Sequence, residues 1–205
     1  MLCSPGPLLA SASFLSIDRL WLAVQHPAKH AEEIFQWALE PWVVKAEATA
    51  LLRELVDKGD LPVACTLLGL GGFPASDPRH LGMMGMHGEA WVNEAVQRAE
   101  LLIALGMRFD DRIIGDPNGF ATHSKKIHVD IDPSEIGKNI KVDVPIVGDV
   151  KRVLQQLNER VAPATHLEWI QHIEELKRDH PSMNIRDTDK LLPQFIINQL
   201  SDITE

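Results

Sequence analysis

Helical and extended periodicities alternate along this chain. Ala31 to Leu39 has the apolar spacing of a helix, Trp42-Val43-Val44 reads as a short strand, and Ala46 to Lys58 is a helix with Leu51, Leu52, Leu55 and Val56 along one side. Gly59 stops that helix. Leu61 to Leu67 is an apolar run of buried-strand type and leads into the glycine-rich Gly69-Leu70-Gly71-Gly72-Phe73-Pro74. Glu89 to Arg98 is helical in pattern, and Leu101 to Leu105 is wholly apolar and ends at Gly106, as buried parallel strands do. Ile127 to Ile131 is a further strand. Asp132-Pro133-Ser134-Glu135 then offers a capping aspartate, a proline at the first helical position and a glutamate at the third, so a helix is predicted there. Ile140 to Val147 is the last strand, and Val150 to Val161 is a helix with Val153, Leu154 and Leu157 on one face.

Repeated strand and helix units of this kind predict an α/β fold, a Rossmann-like parallel sheet with helices on both faces. Beyond it, His166 to His180 is a more polar helix with Trp169, Ile173 and Leu176 in one stripe, and Pro181 ends it. Ser182 to Asp189 reads as a linker, and Leu191 to Leu200 resumes an amphipathic helix. The organisation expected is an irregular leader over 1–27, a central domain over 28–162, a helix and linker over 163–190, and the start of a truncated domain over 191–205.

Composition narrows the function classes. The 205 residues are 45% hydrophobic and 24% charged, a globular balance. A net charge of -9 argues against binding a nucleic-acid backbone. No uncharged apolar run reaches the roughly 18 residues that span a bilayer, so no membrane partner is expected. Two cysteines, Cys3 and Cys65, support neither a disulfide framework nor a four-thiolate zinc site, and a cytoplasmic location follows as the default. The apolar run Leu8 to Leu15 lacks the preceding positive charge of a signal peptide. His26 and His30 are four apart, but Pro27 lies between them and no third ligand is evident, so no metal site is assigned. His123, His128 and the later histidines read as surface residues, Lys125-Lys126 as solvated charge, and Trp91 and Trp169 as core.

The candidate chemistry lies just past the predicted strands. Arg108, Asp110, Asp111 and Arg112 follow the Leu101 to Leu105 strand, where an open α/β sheet carries its ligands. On residue types alone these fit either a nucleotide site or a capped, salt-bridged turn. Met83, Met84 and Met86 fit core filling as well as a ligand contact.

Five ordered segments carry a family resemblance. Leu61 to Pro74, Leu81 to Gly88 with its Gly85-Met86-His87-Gly88, Gly106 to Arg112, His128 to Asp132 followed by Glu135 to Asn139, and Gly148-Asp149-Val150 together resemble the central domain of acetolactate synthase large subunits, which are thiamine-diphosphate enzymes. The resemblance implies a central domain of the NAD/FAD-binding type that holds FAD extended without redox use. It places Thr66, Leu67, Met84, Gly85, Met86, His87, Gly106, Arg108, Asp110, Asp130, Ile131, Asp149 and Val150 along the FAD groove, and Asp111 and Arg112 by the substrate channel. For the full-length family it implies condensation of two 2-oxo acids, pyruvate to 2-acetolactate, in branched-chain amino-acid synthesis. Thiamine diphosphate and Mg2+ are the catalytic cofactors, and dimers and a regulatory small subunit are the implied partners.

Their main binding motifs, an activating glutamate and a Gly-Asp-Gly start with a downstream Asn, belong to flanking domains and do not occur here. No catalytic residue is therefore assigned, and the chain alone is expected to be inactive. The chain also departs from the family where a strand normally meets three successive glycines: it reads Trp42-Val43-Val44-Lys45-Ala46-Glu47-Ala48-Thr49-Ala50. Glu47 puts bulk and negative charge where a phosphate needs open backbone. Two other readings stay open: a non-catalytic nucleotide-binding module or degraded remnant, and the central domain of another thiamine-diphosphate carboligase or decarboxylase.

Overall fold

The computed structural model describes residues 35–39, 42–181 and 191–204. The leader, the linker over Ser182 to Asp189 and the His26/His30 pair lie outside them. Six parallel strands form one sheet: β1 (Phe35–Leu39), β2 (Val63–Cys65), β3 (His80–Met83), β4 (Leu101–Leu105), β5 (Lys125–Asp130) and β6 (Val144–Val147), in the order β3-β2-β1-β4-β5-β6. The order reverses between β1 and β4, so the sheet is doubly wound about that junction. Among the described residues the helices are α1 (Trp42–Lys45), α2 (Thr49–Gly59), α3 (Ala90–Arg98), α4 (Asp111–Ile114), α5 (Val150–Arg160), α6 (Leu167–Asp179) and α7 (Pro193–Thr204), with a 3-10 turn at Leu67–Gly69.

Alternate positions of each strand feed two apolar layers. Val63, Cys65, Ile103, Leu105, Ile127 and Val129 meet α2 and α5 through Leu52, Leu55, Val56, Val153, Leu154 and Leu157. Ala64, Leu102 and Ala104 face the other way, toward Trp91, Val92, Ala95 and Val96 of α3 and Trp169, Ile173 and Leu176 of α6. A strand covered on both faces has no polar side to show, which is why β4 is apolar throughout. Helices α5 and α6 keep the apolar stripes read from their spacing.

Three expectations are corrected, and one strand is added. The stretch Phe35–Leu39 is the central strand, not the end of a helix, and it pairs residue for residue with Leu101–Leu105. Trp42-Val43-Val44 is helix α1, not a strand. The slot beside β4 is already filled by β1, and the extended preference of two valines is too weak to override that geometry. The turn predicted to open a helix at Asp132 stays a turn. Asp132 caps Ser134 N at 2.8 Å, but Gly137 sits at φ 69°, so the nucleus never propagates. Strand β3, in the short His80-Leu81-Gly82-Met83, has no alternation to announce it and is added by pairing with β2.

Two charge assignments also change. Lys126 is 8% exposed, and its Nζ donates to the Ala121 carbonyl at 2.6 Å and the Ser124 carbonyl at 3.1 Å. His128 is completely buried. Both occupy the β5 face that meets the α3 and α6 layer, because β5 lies inside the sheet and its alternate positions have nowhere else to point.

Candidate functional site

Because the strands run parallel, the segments leaving them emerge on one rim. Thr66 follows β2 directly, the Met84 to Gly88 loop follows β3, Gly106 to Asp110 follow β4, and Asp130 ends β5. The backbone here is tightly tied. Gly106 N donates to Val129 O at 2.7 Å with Gly106 at φ 68°, and Gly148 N donates to Asp130 O at 2.9 Å. Asn93 of α3 clasps Gly85 at both ends, its Oδ1 accepting from Gly85 N at 2.8 Å and its Nδ2 donating to Gly85 O at 2.9 Å. Met86 N donates to Arg112 O at 2.7 Å, joining the β3 loop to α4. A Cβ at Gly85 would stand 2.8 Å from Arg112 O, so that approach requires glycine.

Among the described residues, two clefts on this rim take in the sequence-derived residues. One, of about 210 Å³, is lined by Lys45, Ala46, Gly106, Asp130, Ile131, Asp149 and Val150, and it lies at the winding reversal beyond β4, β5 and β6. The other, of about 310 Å³, takes in Gly85, Met86, Asn93, Asp111, Arg112 and Phe120. The sequence-derived residues thus divide: Gly106, Asp130, Ile131, Asp149 and Val150 share the first cleft, while Gly85, Met86, Asp111 and Arg112 share the second. Thr66, Leu67, Met84, His87, Arg108 and Asp110 line neither. Met84 is buried in the core, Met86 and His87 are exposed, and Thr66 is buried with its hydroxyl lacking a partner. Arg108 contacts Asp110 at 3.4 Å and its carbonyl accepts from Asn139 Nδ2 at 3.1 Å. Asp110 caps α4 through Arg112 N.

Lys45 and Ala46 were not singled out from the sequence. Their signal was there only as a departure from a glycine turn, and the placement of α1 brings them to the cleft. The next residue, Glu47, sits at φ 53°, in the left-handed region that favours glycine, and its carboxylate contacts Lys151 at 3.5 Å.

The first cleft is electronegative in its fixed groups. Asp130 is 5% exposed, and its Oδ1 accepts from Asp132 N at 2.8 Å. Its other carboxylate oxygen makes no hydrogen bond among the described residues. Asp149 caps α5 by accepting from Arg152 N at 3.1 Å, so the helix end that could receive an anion already holds a carboxylate. Behind the cleft, burial holds His128 below the ordinary histidine value; Asp130, the Met107 backbone and Glu135 pull the other way. Cys65 is a free buried thiol pushed up to about 12 by burial and is no nucleophile, although His80 Nε2 is 3.6 Å from its sulfur. Among the described residues no group of three or more His, Cys, Asp or Glu is placed to hold a metal, and no helix is long and apolar enough to cross a membrane.

A wound parallel sheet with crevices along its carboxyl rim defines an α/β domain of the nucleotide-binding type. Residues 42–157 match the thiamine pyrophosphate enzyme central domain, and the chain belongs to that family. It is 44% identical over 168 residues to acetolactate synthase of Mycobacterium avium, a match covering 78% of this chain and 27% of that protein. It is 45% identical over 165 residues to the acetolactate synthase large subunit of Corynebacterium glutamicum, covering 78% and 26%. It is 42% identical over 160 residues to acetolactate synthase 1, chloroplastic, of Zea mays, covering 75% and 25%. The chain therefore spans about a quarter of the length of these relatives.

Proposed function

We propose that this chain is the central, ligand-cradling portion of an acetolactate synthase-type enzyme and performs no turnover by itself. In the whole enzyme the reaction is decarboxylation of pyruvate on thiamine diphosphate and condensation with a second 2-oxo acid to give 2-acetolactate. The observation that carries the reading is the gathering of motif residues from four separate strands on one rim of a wound sheet, beside identities of 42–45% to acetolactate synthases. Thiamine activation and magnesium binding fall to family motifs outside the matched segment, so no step through either is assigned to residues here. On this reading the partners are the remaining catalytic domains, a second subunit and a regulatory small subunit. The compartment is a reducing cytoplasm, in keeping with a free Cys65.

FAD is the ligand implied for this rim by the family resemblance. Asp130 suits a ribose hydroxyl, since it is a carboxylate at a strand end whose second oxygen makes no hydrogen bond among the described residues. The diphosphate does not suit the same cleft. Asp149 occupies the α5 terminus, and Glu47 stands where open glycine backbone would be needed. No chemical step is derived through a flavin.

The purified 205-residue chain, supplied with pyruvate, thiamine diphosphate and Mg2+, is expected to form no acetolactate above a heat-inactivated control. Sustained acetolactate formation would overturn the reading.

A further inference from the structure

We propose that the groove between α2 and α5, which shares no lining residue with the rim clefts, binds a short aliphatic diamine through its primary ammonium groups. The inference is independent of the reading of the rim.

The groove has a volume of about 650 Å³, within the roughly 300–1,000 Å³ of small-molecule sites. Leu51 and Glu54 line it from α2, and Gln155, Gln156, Asn158 and Glu159 line it from α5. Asn158 is 6% exposed, and its side-chain amide is half satisfied. The Nδ2 donates across to the Leu51 carbonyl of α2 at 2.9 Å, and this bond fixes which end of the amide is oxygen. Because Leu51 and Asn158 both line the groove, the amide spans it from one wall to the other. Its Oδ1 is buried with no hydrogen-bond partner, while the backbone carbonyl of the same residue is taken by Lys58 Nζ at 2.6 Å. Elsewhere the two helices meet through Leu52, Leu55, Leu154 and Leu157, so packing alone does not ask for an amide. A buried acceptor left unpaired is costly, and a bound N–H or O–H donor relieves that cost.

The walls decide the charge of the donor. Glu54 on α2 and Glu159 on α5 are both exposed, and neither carboxylate is held in an ion pair among the described residues. Against them the lining sets Arg152, and the nearby Lys58 ammonium is already committed to the Asn158 carbonyl. An anion would meet two carboxylates, and a neutral alcohol would satisfy the amide while leaving both carboxylates unanswered. A primary ammonium brings charge and three N–H donors together. Carboxylates on facing helices match two such groups joined by a flexible chain, with Leu51 beside the methylenes.

The test titrates the purified 205-residue chain with 1,4-diaminobutane, tetramethylammonium chloride and 1-butanol by isothermal titration calorimetry. NaCl is kept at about 50 mM, where exposed charges are weakly screened. Diaminobutane is expected to bind saturably. Tetramethylammonium, without N–H donors, and 1-butanol, without charge, are expected at least about tenfold weaker. Glu54→Gln and Glu159→Gln should each weaken diaminobutane about two- to fivefold, whereas Glu168→Gln, an equal charge change on the exposed side of α6, should move it less than about 1.5-fold. Asn158→Leu should abolish binding with the circular dichroism spectrum retained; the two glutamate variants leave the core untouched and decide the matter if that variant does not fold. Absence of saturable diaminobutane binding would overturn the inference, as would tetramethylammonium binding equally well. Equal losses in the Glu54, Glu159 and Glu168 variants would overturn it too, since the ligand would then answer only to the net charge of -9.

Discussion

Glu47 is where local chemistry and backbone geometry disagree most. A side chain at φ 53° costs about 1–2 kcal/mol against a right-handed conformation, while glycine pays about 0.5–1 kcal/mol in lost freedom. The Glu47 to Lys151 contact joins an exposed carboxylate to a half-buried lysine at 3.5 Å and contributes little. Glu47→Gly is therefore expected to stabilise the fold by about 0.5–1 kcal/mol, a rise of roughly 1–4 °C in thermal midpoint by circular dichroism. A lower midpoint would mean that the ion pair outweighs the strain. His128 raises a second question at this scale. It is fully buried against the Phe109 ring at a centroid distance of 5.0 Å, with Asp130 and Glu135 the charged groups acting on it, and neither ring nitrogen makes a well-formed hydrogen bond. Burial lowers its folded-state value, so the unfolded chain binds the proton more readily. Stability is full above about 6.5 and declines as pH falls through that value toward the lowered one. His80, also lowered by burial, acts in the same direction. His128→Leu removes one of the two contributions, so urea midpoints between about pH 7.5 and 5 should fall less steeply than in the parent. An unchanged slope would show that His128 does not titrate on unfolding.

Among the elements, α6 shows how a stripe read from spacing becomes a packing contact. Trp169, Ile173 and Leu176 enter the layer formed with α3, and Lys177 Nζ lies 5.0 Å from the centre of the Trp91 ring. Ile173 is 1% exposed, so Ile173→Ala should cost about 2–5 kcal/mol in urea unfolding. A loss below about 1 kcal/mol would mean that α6 rests loosely on the sheet. Elements with long or unmixed patterns, such as α3, β4, α5 and α6, were legible because one face or both faces are buried along their whole length. Short elements were not. The Trp42-Val43-Val44 run and the Asp132-Pro133 turn each carry a local preference worth less than what their surroundings impose, and β3 exists only through its partner β2.

At the scale of the whole molecule, winding of the sheet brings Gly106, Asp130 and Asp149 into one cleft although they are far apart in the chain. It also separates them from Gly85, Met86, Asp111 and Arg112, which share another. The motif order pointed to the rim but not to this division, because which loop meets which depends on strand order. The expected inactivity toward pyruvate belongs here too. A rim without the thiamine and magnesium motifs does not supply the electron sink that the condensation needs. By itself the sequence determined the α/β class, the family and the longer helices and strands, since periodicity and composition act over neighbouring residues. Only the tertiary structure decided that Phe35–Leu39 takes the centre of the sheet, that Lys126 and His128 are buried, and that Lys45 and Ala46 complete a cleft with Asp130. Those outcomes are set by pairing and burial between segments that local pattern does not connect.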